Sequence, residues 1–301
     1  MSGRVVIFTD EPGWHGRRLR TWFDSRGLEA VFASLNDCRV ELESEGHGIV
    51  IPACGNELPL GAFVRGIAGG SLEAITLRLD FLHVLQQLGC PVFNDARTIE
   101  RTVDKAMTSL LLRRHRIPTP RTFCSQDVDA ARAYVKEALA KSRPLVSKPL
   151  FGSQGKGLSR IDQYSDFPEE VPGGVYYFQE FIDSARRPFR DCRVMVIENE
   201  AIAAMERSSH HWITNRAQGA DCRSIALQDD LAAIAVAAAR AVGAAYAGVD
   251  LLRDANGEWL VTEVNGIPAW QGLQRATGVD VTELLGDAFI RQMDGLAAAH
   301  G

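Results

Sequence analysis

Ala247-Gly248-Val249-Asp250-Leu251-Leu252-Arg253-Asp254-Ala255-Asn256-Gly257-Glu258-Trp259-Leu260-Val261-Thr262-Glu263-Val264-Asn265 reads as two strands around a tight turn. Apolar runs at 249–252 and 259–264 flank Asp254-Ala255-Asn256-Gly257, which supplies a side-chain acceptor and a residue free to take positive φ. Alternate residues of a strand share a face, so Glu263 and Asn265 project together and Asp250 can oppose them across the hairpin. Two carboxylates and an amide oxygen suit Mg²⁺, which keeps waters and takes the rest of its octahedron from substrate phosphates. A capped turn with acidic flanks accounts for Asp254 and Asn256. It does not account for acids inside two apolar strands, where an unpaired charge is costly.

Upstream, Pro144-Leu145-Val146-Ser147-Lys148-Pro149 reads as a strand leading into Gly152-Ser153-Gln154-Gly155-Lys156-Gly157. Glycines at 152, 155 and 157 permit close backbone approach, so amides can point at phosphate oxygens. No Ser or Thr follows Lys156, which excludes a Walker A loop, and the G-x-G-x-x-G order of a dinucleotide fingerprint is absent. A flexible surface turn would have the same composition, but a strand-borne Lys148 just before it favours a phosphate clamp. Arginines follow at 186, 187, 190, 193 and 207. A solvated loop accounts for Arg186, Arg187 and Arg190. Arg193 and Arg207 lie in or at the ends of strands, where a guanidinium fork suits carboxylate or phosphate.

The first ninety-odd residues alternate strand and helix: strands at 5–8 and 30–33, short apolar runs at 48–52 and 62–64, a turn and strand over 89–94, and helices after Trp14 and at 78–88. This is an α/β layer with a mostly parallel sheet. A helix-rich connection leads to Ile117-Pro118-Thr119-Pro120, an extended exit. Helices are expected at 129–141 and 229–243, strands at 175–179, 194–197 and 201–205, and the C-terminus is helical. The 301 residues carry 33 Lys+Arg against 38 Asp+Glu, a net charge of −5, which argues against a general nucleic-acid or membrane binder. The Ala-rich run 231–249 contains Arg240 and reads as a helix rather than a membrane span. Cysteines at 38, 54, 90, 124, 192 and 222 show no C-x-x-C pair and are expected to be buried free thiols in a reducing cytoplasm. His210 and His211 are adjacent and would point apart on a strand, a poor metal pair.

In order along the chain stand Asp104-Lys105, Lys148 with its Gly-rich loop, Gln179-Glu180-Phe181-Ile182, Asp191-Cys192-Arg193, Met205-Glu206-Arg207, Trp212-Ile213-Thr214-Asn215, Ala247-Gly248-Val249-Asp250 and Glu263-Val264-Asn265. This succession resembles an ATP-grasp ligase of the RimK-like branch, the α-L-glutamate ligases. The resemblance runs from about Asn94 to Val281. It implies an N-terminal pre-ATP-grasp domain with a parallel sheet (1–95), a central ATP-grasp subdomain with the Gly-rich loop (96–182) and a C-terminal subdomain with the metal site (183–301).

The resemblance also implies roles. Lys105, Lys148 and the loop residues Gly152, Ser153, Gln154, Gly155 and Gly157 would meet ATP phosphates. Gln179, Glu180, Phe181 and Ile182 would form the hinge around adenine, with Asp191 also on the nucleotide side. Asp250, Glu263 and Asn265 would hold one or two Mg²⁺ or Mn²⁺ ions. Arg193 would touch the γ-phosphate and acyl phosphate, and Arg207 and Asn215 would face the reacting carboxylate. The chemistry would be amide formation through an acyl phosphate, with ADP and phosphate released. Ile213 stands where relatives often place a basic residue, and Arg216 could substitute from nearby.

Val64-Arg65-Gly66-Ile67-Ala68-Gly69-Gly70-Ser71-Leu72-Glu73, with Arg78-Leu79-Asp80 and Ile99-Glu100-Arg101-Thr102-Val103-Asp104-Lys105, is similar to the group containing tetrahydromethanopterin:glutamate ligases. The partners implied are therefore ATP, glutamate and a small carboxylate-bearing acceptor, in a cytoplasmic homo-oligomer, dimer or tetramer. Glutamylation of a protein C-terminus, ligation of another amino acid and a non-catalytic nucleotide-binding regulator are the competing readings.

Overall fold

The computed structural model describes residues 3–42, 46–55, 57–152, 155–183 and 187–300. The chain divides into two compact units. The first comprises Met1–Glu100, Ala244–Tyr246 and Gly266–Gly301, the second Arg101–Gly243 and Ala247–Asn265.

In the first unit come β1 (Arg4–Phe8), α1 (Gly13–Ser25), β2 (Glu29–Ala33), the short antiparallel pair β3 (Arg39–Val40) and β4 (Ile49–Val50), β5 (Gly61–Val64), α2 (Leu72–Gln87) and β6 (Val92–Phe93). α3 (Ala96–Val103) then leads into the second unit. The main sheet is parallel in the order β2-β1-β5-β6, as the strand–helix alternation requires. Val5, Val6, Ile7 and Phe8 are all fully buried, the signature of a central parallel strand covered on both faces. α2 begins at Leu72, earlier than its apolar stripe, because the Ser71 hydroxyl caps it by accepting from the Ala74 N–H. The chain later returns through α7 (Gln271–Thr277) and α8 (Val281–His300), and Phe289 of α8 packs edge-on against Phe23 and Phe63. Asn94 stitches the returning segments in. Its amide donates to Tyr246 O at 2.7 Å and Gly266 O at 2.8 Å, and its oxygen accepts from the N–H groups of Ala245 and Tyr246.

The second unit opens with α4 (Lys105–Arg114), capped by the Asp104 carboxylate, and continues through β7 (Thr122–Ser125), α5 (Val128–Ala140), β8 (Leu145–Ser147), β9 (Ser159–Ile161) and β10 (Tyr176–Glu180). These strands form an antiparallel sheet in the order β7-β10-β8-β9. The larger sheet, β13-β12-β11-β14-β15, is built from β11 (Phe189–Ile197), β12 (Glu200–Ser209), β13 (Asp221–Ile225), β14 (Tyr246–Arg253) and β15 (Trp259–Asn265). α6 (Asp229–Val242) packs on this sheet through Leu231, Ala235, Ala238 and Val242. The β14–β15 turn forms as its sequence requires: Asp254 accepts from the Asn256 and Glu258 N–H groups, and Gly257 takes φ +89°.

All six cysteines are free. Cys38, Cys54, Cys90 and Cys192 are buried as expected, but Cys222 on β13 is only half-buried and Cys124 on β7 is exposed, both on edge strands. Among the described residues no helix is long and apolar enough to cross a membrane.

Candidate active site

The hairpin register places Asp250 directly opposite Glu263 and Gly248 opposite Asn265. Cross-strand partners share a face, so the two acids and the amide project from one patch of the larger sheet. Their environments differ. Both Asp250 oxygens are held in a fork by Arg193, from Nε at 2.6 Å and Nη2 at 2.7 Å, and Arg207 Nη2 lies 3.1 Å from Oδ2. Burial alone would raise the Asp250 carboxyl, but the two guanidinium groups outweigh it and hold it down, to about 2. Glu263 accepts no hydrogen bond or ion pair from a described residue. Asn265 donates its side-chain N–H to Gly248 O at 3.2 Å, and its oxygen accepts from no described residue.

Arg207 is 3% exposed and lies between acids, bonded through Nε and Nη2 to Asp191 at 2.6 and 2.5 Å. Thr214 donates its hydroxyl to Asp191 at 2.7 Å. Asp191 and Arg207 are direct cross-strand partners on β11 and β12. This buried ionic network was not read from the sequence. The alternation of acid and base on adjacent strands was visible, but only the register shows which charges meet.

The smaller sheet contributes the lysines. Lys148, at the end of β8, donates to Gln179 Oε1 at 2.6 Å. Burial pulls its ammonium down to about 8, against the opposing pull of the Glu263 and Asp250 charges. Lys105, the first residue of α4, donates to Gly152 O at 2.8 Å and is also lowered by burial. Gly155 and Gly157 take φ of +72° and +71°. A Cβ on Gly155 would lie 2.8 Å from both Asn215 Oδ1 and Ile213 Cγ2. The loop therefore touches the 212–215 segment at a contact that only glycine permits. Ile213 fills that contact, and Arg216 lies exposed in the following turn. Ser153, Gln154 and Arg186 lie outside the described residues.

Lys148, Gln179, Asp191, Arg207, Asn215, Asp250 and Glu263 line one cavity of about 130 Å³. Lys105, Gly152 and Gly155 line an adjoining one of about 50 Å³, which shares Lys148, Asn215 and Glu263. The same cleft takes apolar walls from Val146, Leu158, Phe181 and Leu252. Phe181 and Ile182 follow β10, where the Glu180 N–H donates to Arg121 O and the Phe181 N–H to Pro144 O. The Ile182 N–H donates to no described acceptor.

Basic, acidic and apolar side chains thus converge between two antiparallel sheets. Residues 102–288 match the RimK-like ATP-grasp domain family. The chain is 33% identical over 297 residues, 94% of its length and 97% of the relative's, to the tetrahydromethanopterin:alpha-L-glutamate ligase of Methanococcus maripaludis. The chain belongs to the RimK-like ATP-grasp family.

Within this family the chain is also 32% identical to the alpha-aminoadipate–LysW ligase LysX of Saccharolobus solfataricus, over 67% of its own length and 75% of that protein's. The fold matches ATP-grasp ligase PsnB complexed with minimal precursor, Mg and ADP, with a TM-score of 0.74 at 22% identity, covering 98% of this chain and 99% of that one. ATP-grasp enzymes use ATP with Mg²⁺. Glu263 and the Asn265 oxygen accept from no described residue, which leaves them available to such an ion, whereas both Asp250 oxygens are already held by guanidinium groups. Among the described residues no group of three or more His, Cys, Asp or Glu is arranged to hold a metal ion by itself. Two carboxylates and an amide would leave half of an octahedron to water and phosphate, as Mg²⁺ prefers.

Proposed function

We propose that this ATP-grasp ligase adds L-glutamate to a carboxylate of a tetrahydromethanopterin-type pterin. The observation that carries the reading is the match to the relative named for that reaction over nearly the whole of both chains. The cleft supports the chemistry. The acceptor carboxylate oxygen attacks the γ-phosphorus of ATP, the bond to the β-phosphate oxygen breaks, and ADP leaves. The glutamate amine then attacks the acyl carbon, loses its proton, and inorganic phosphate departs with the C–O bond electrons.

No side-chain nucleophile is required; the protein positions charge. Lys105, Lys148 and the amides around Gly152, Gly155 and Gly157 would hold phosphates, and Ser153 and Gln154 belong to the same loop. The Ile182 N–H, which donates to no described acceptor, would read the adenine edge beside Glu180, Phe181 and Gln179. Asp250, Glu263 and Asn265 would hold one or two divalent ions, which screen the phosphate charge when bound. Arg193 would exchange its hold on Asp250 for the transferring phosphoryl group, with Arg207 and Asp191 keeping its neighbours fixed. Asn215 lines both cavities, where the carboxylate and phosphate would meet. The six free cysteines agree with a reducing cytoplasm. A homo-oligomer is expected by family resemblance, and sedimentation of the purified chain tests it.

The test is ATP-dependent ADP release with tetrahydromethanopterin and glutamate, read together with product mass. A gain of one or more glutamyl units supports the reading. A different amino acid in the product, or glutamate on a protein tail instead, overturns it. ATP binding without ADP release from any acceptor would leave a nucleotide-binding regulator.

A further inference from the structure

Next to Lys148 on the smaller sheet stands a buried phenol that the phosphoryl chemistry does not itself require. The Lys148 N–H donates to Tyr177 O at 3.0 Å, which sets the two residues side by side on β8 and β10. β10 alternates: Tyr176 and Phe178 pack into the apolar cluster with Ala131, Val135 and Ala138 of α5, so Tyr177 and Gln179 project from the opposite face. There Gln179 Oε1 accepts from Lys148 Nζ at 2.6 Å. It is the only hydrogen-bond acceptor of this ammonium among the described residues. A lysine charge ends a flexible four-carbon stem, so its place is set by where that oxygen stands.

The oxygen is set in turn by the other end of the amide. Gln179 Nε2 lies 3.4 Å from Thr122 Oγ1 and 3.5 Å from Tyr177 Oη, two hydroxyl acceptors for its two hydrogens. A flipped amide would turn N–H₂ against an ammonium, donor facing donor. Thr122 is itself fixed, because its hydroxyl donates to Pro120 O at 3.0 Å. Tyr177 is 1% exposed, and its hydroxyl lies 2.8 Å from Ser109 Oγ on α4. The ring is therefore held at both ends, through its backbone in β10 and through its oxygen at α4. Accepting from Gln179 leaves the phenol its own proton to give to Ser109. Burial pushes its ionisation up to about 12, so that proton is kept at neutral pH. A phenylalanine would fill the same volume. The oxygen that tyrosine adds is costly to bury unless it is bonded, and its bonds here run toward the lysine.

We propose that Tyr177 is a positioning residue for the ATP phosphates. Anchored on Ser109, it holds the Gln179 amide, which holds the Lys148 ammonium where a phosphate oxygen arrives. Tyr177 lines neither cavity of the cleft, so it acts through Gln179 and Lys148. All five residues, with Thr122, belong to the second unit. The inference rests on the reading of Lys148 as a phosphate ligand given above.

Dissociation constants of ATP and of adenosine test it, measured on the full chain by competition against a fluorescent ATP analogue, without acceptor or glutamate. Tyr177→Phe should weaken ATP about fivefold and leave adenosine unchanged. Ser109→Ala, which removes the anchor, should move ATP in the same direction by a smaller factor, and it decides the matter if Tyr177→Phe does not fold. Placed in a Lys148→Met background, Tyr177→Phe should change the ATP constant less than about twofold, because the residue through which it acts is already gone. Equal weakening of ATP and adenosine, an unchanged ATP constant, or a full fivefold effect in the Lys148→Met background overturns the proposal and leaves the phosphate reading standing. That reading fails separately: if Lys148→Met binds ATP as wild type does, Lys148 is no phosphate ligand, and the proposal falls with it.

Discussion

Asp250 and Glu263 face each other on one hairpin, yet their substitution should fail in different ways. Asp250 neutralises the buried Arg207 and the half-buried Arg193. Asp250→Asn should therefore cost about 3 kcal/mol of stability, because removing one member of a buried ion network strands the others. Glu263→Gln touches no described partner, and it should leave the melting temperature nearly unchanged while ligase activity collapses. Comparable loss of stability in both variants would contradict this division. Lys148 gives a pH signature. Burial lowers its ammonium to about 8, so its charge is present below that pH and lost above it. The KM for ATP should rise above pH 8 by about tenfold per unit, the slope of one proton. A flat ATP KM between pH 7 and 9.5 would remove Lys148 from phosphate binding. At this scale the sequence showed which acids share a face, because period two is a local property. It did not show that Arg193 and Arg207 occupy Asp250, because that depends on pairing between strands distant in sequence.

Among the elements, apolar ones announced themselves and polar ones did not. β1, β5 and the β14–β15 hairpin carry apolar runs and were legible, whereas β13 reads Asp221-Cys222-Arg223-Ser224-Ile225 and is recognisable only by its pairing to β12. β7 and β9 escaped for the same reason: each is a short edge strand. The Gly-rich loop was legible as a loop, and the contact of Gly155 with Asn215 and Ile213 explains its composition. Gly155→Ala combines positive φ with a 2.8 Å clash, so the segment must shift. The KM for ATP should rise about tenfold, with global stability lowered by only about 1 kcal/mol. Equal ATP kinetics in the variant would show that this contact is dispensable. Asn94 is the opposite case: a polar residue in a short buried turn, unremarkable in sequence. Its side chain makes four hydrogen bonds to backbone groups of 245, 246 and 266. Asn94→Ala should destabilise the first unit by about 3 kcal/mol or more, measurable by urea unfolding, because several buried backbone groups lose their partners at once.

Taken whole, the chain is not a string of consecutive domains. The first unit is assembled from three segments and the second from two, so the backbone passes from one unit to the other four times. The passages at 246/247 and 265/266 bracket the β14–β15 hairpin, and Asn265 is followed directly by Gly266, whose carbonyl Asn94 holds. Sequence reading proceeds along the chain and finds boundaries as points; it has no signal for a unit closed by residues two hundred positions away. That topology has a bearing on heredity. Crossing over between two related genes exchanges one contiguous stretch, and no single stretch encodes the first unit. A replacement first unit therefore cannot arrive as one exchanged cassette. It must be imported as separate pieces around a hairpin left in place, or it must evolve by point substitution inside an otherwise inherited frame.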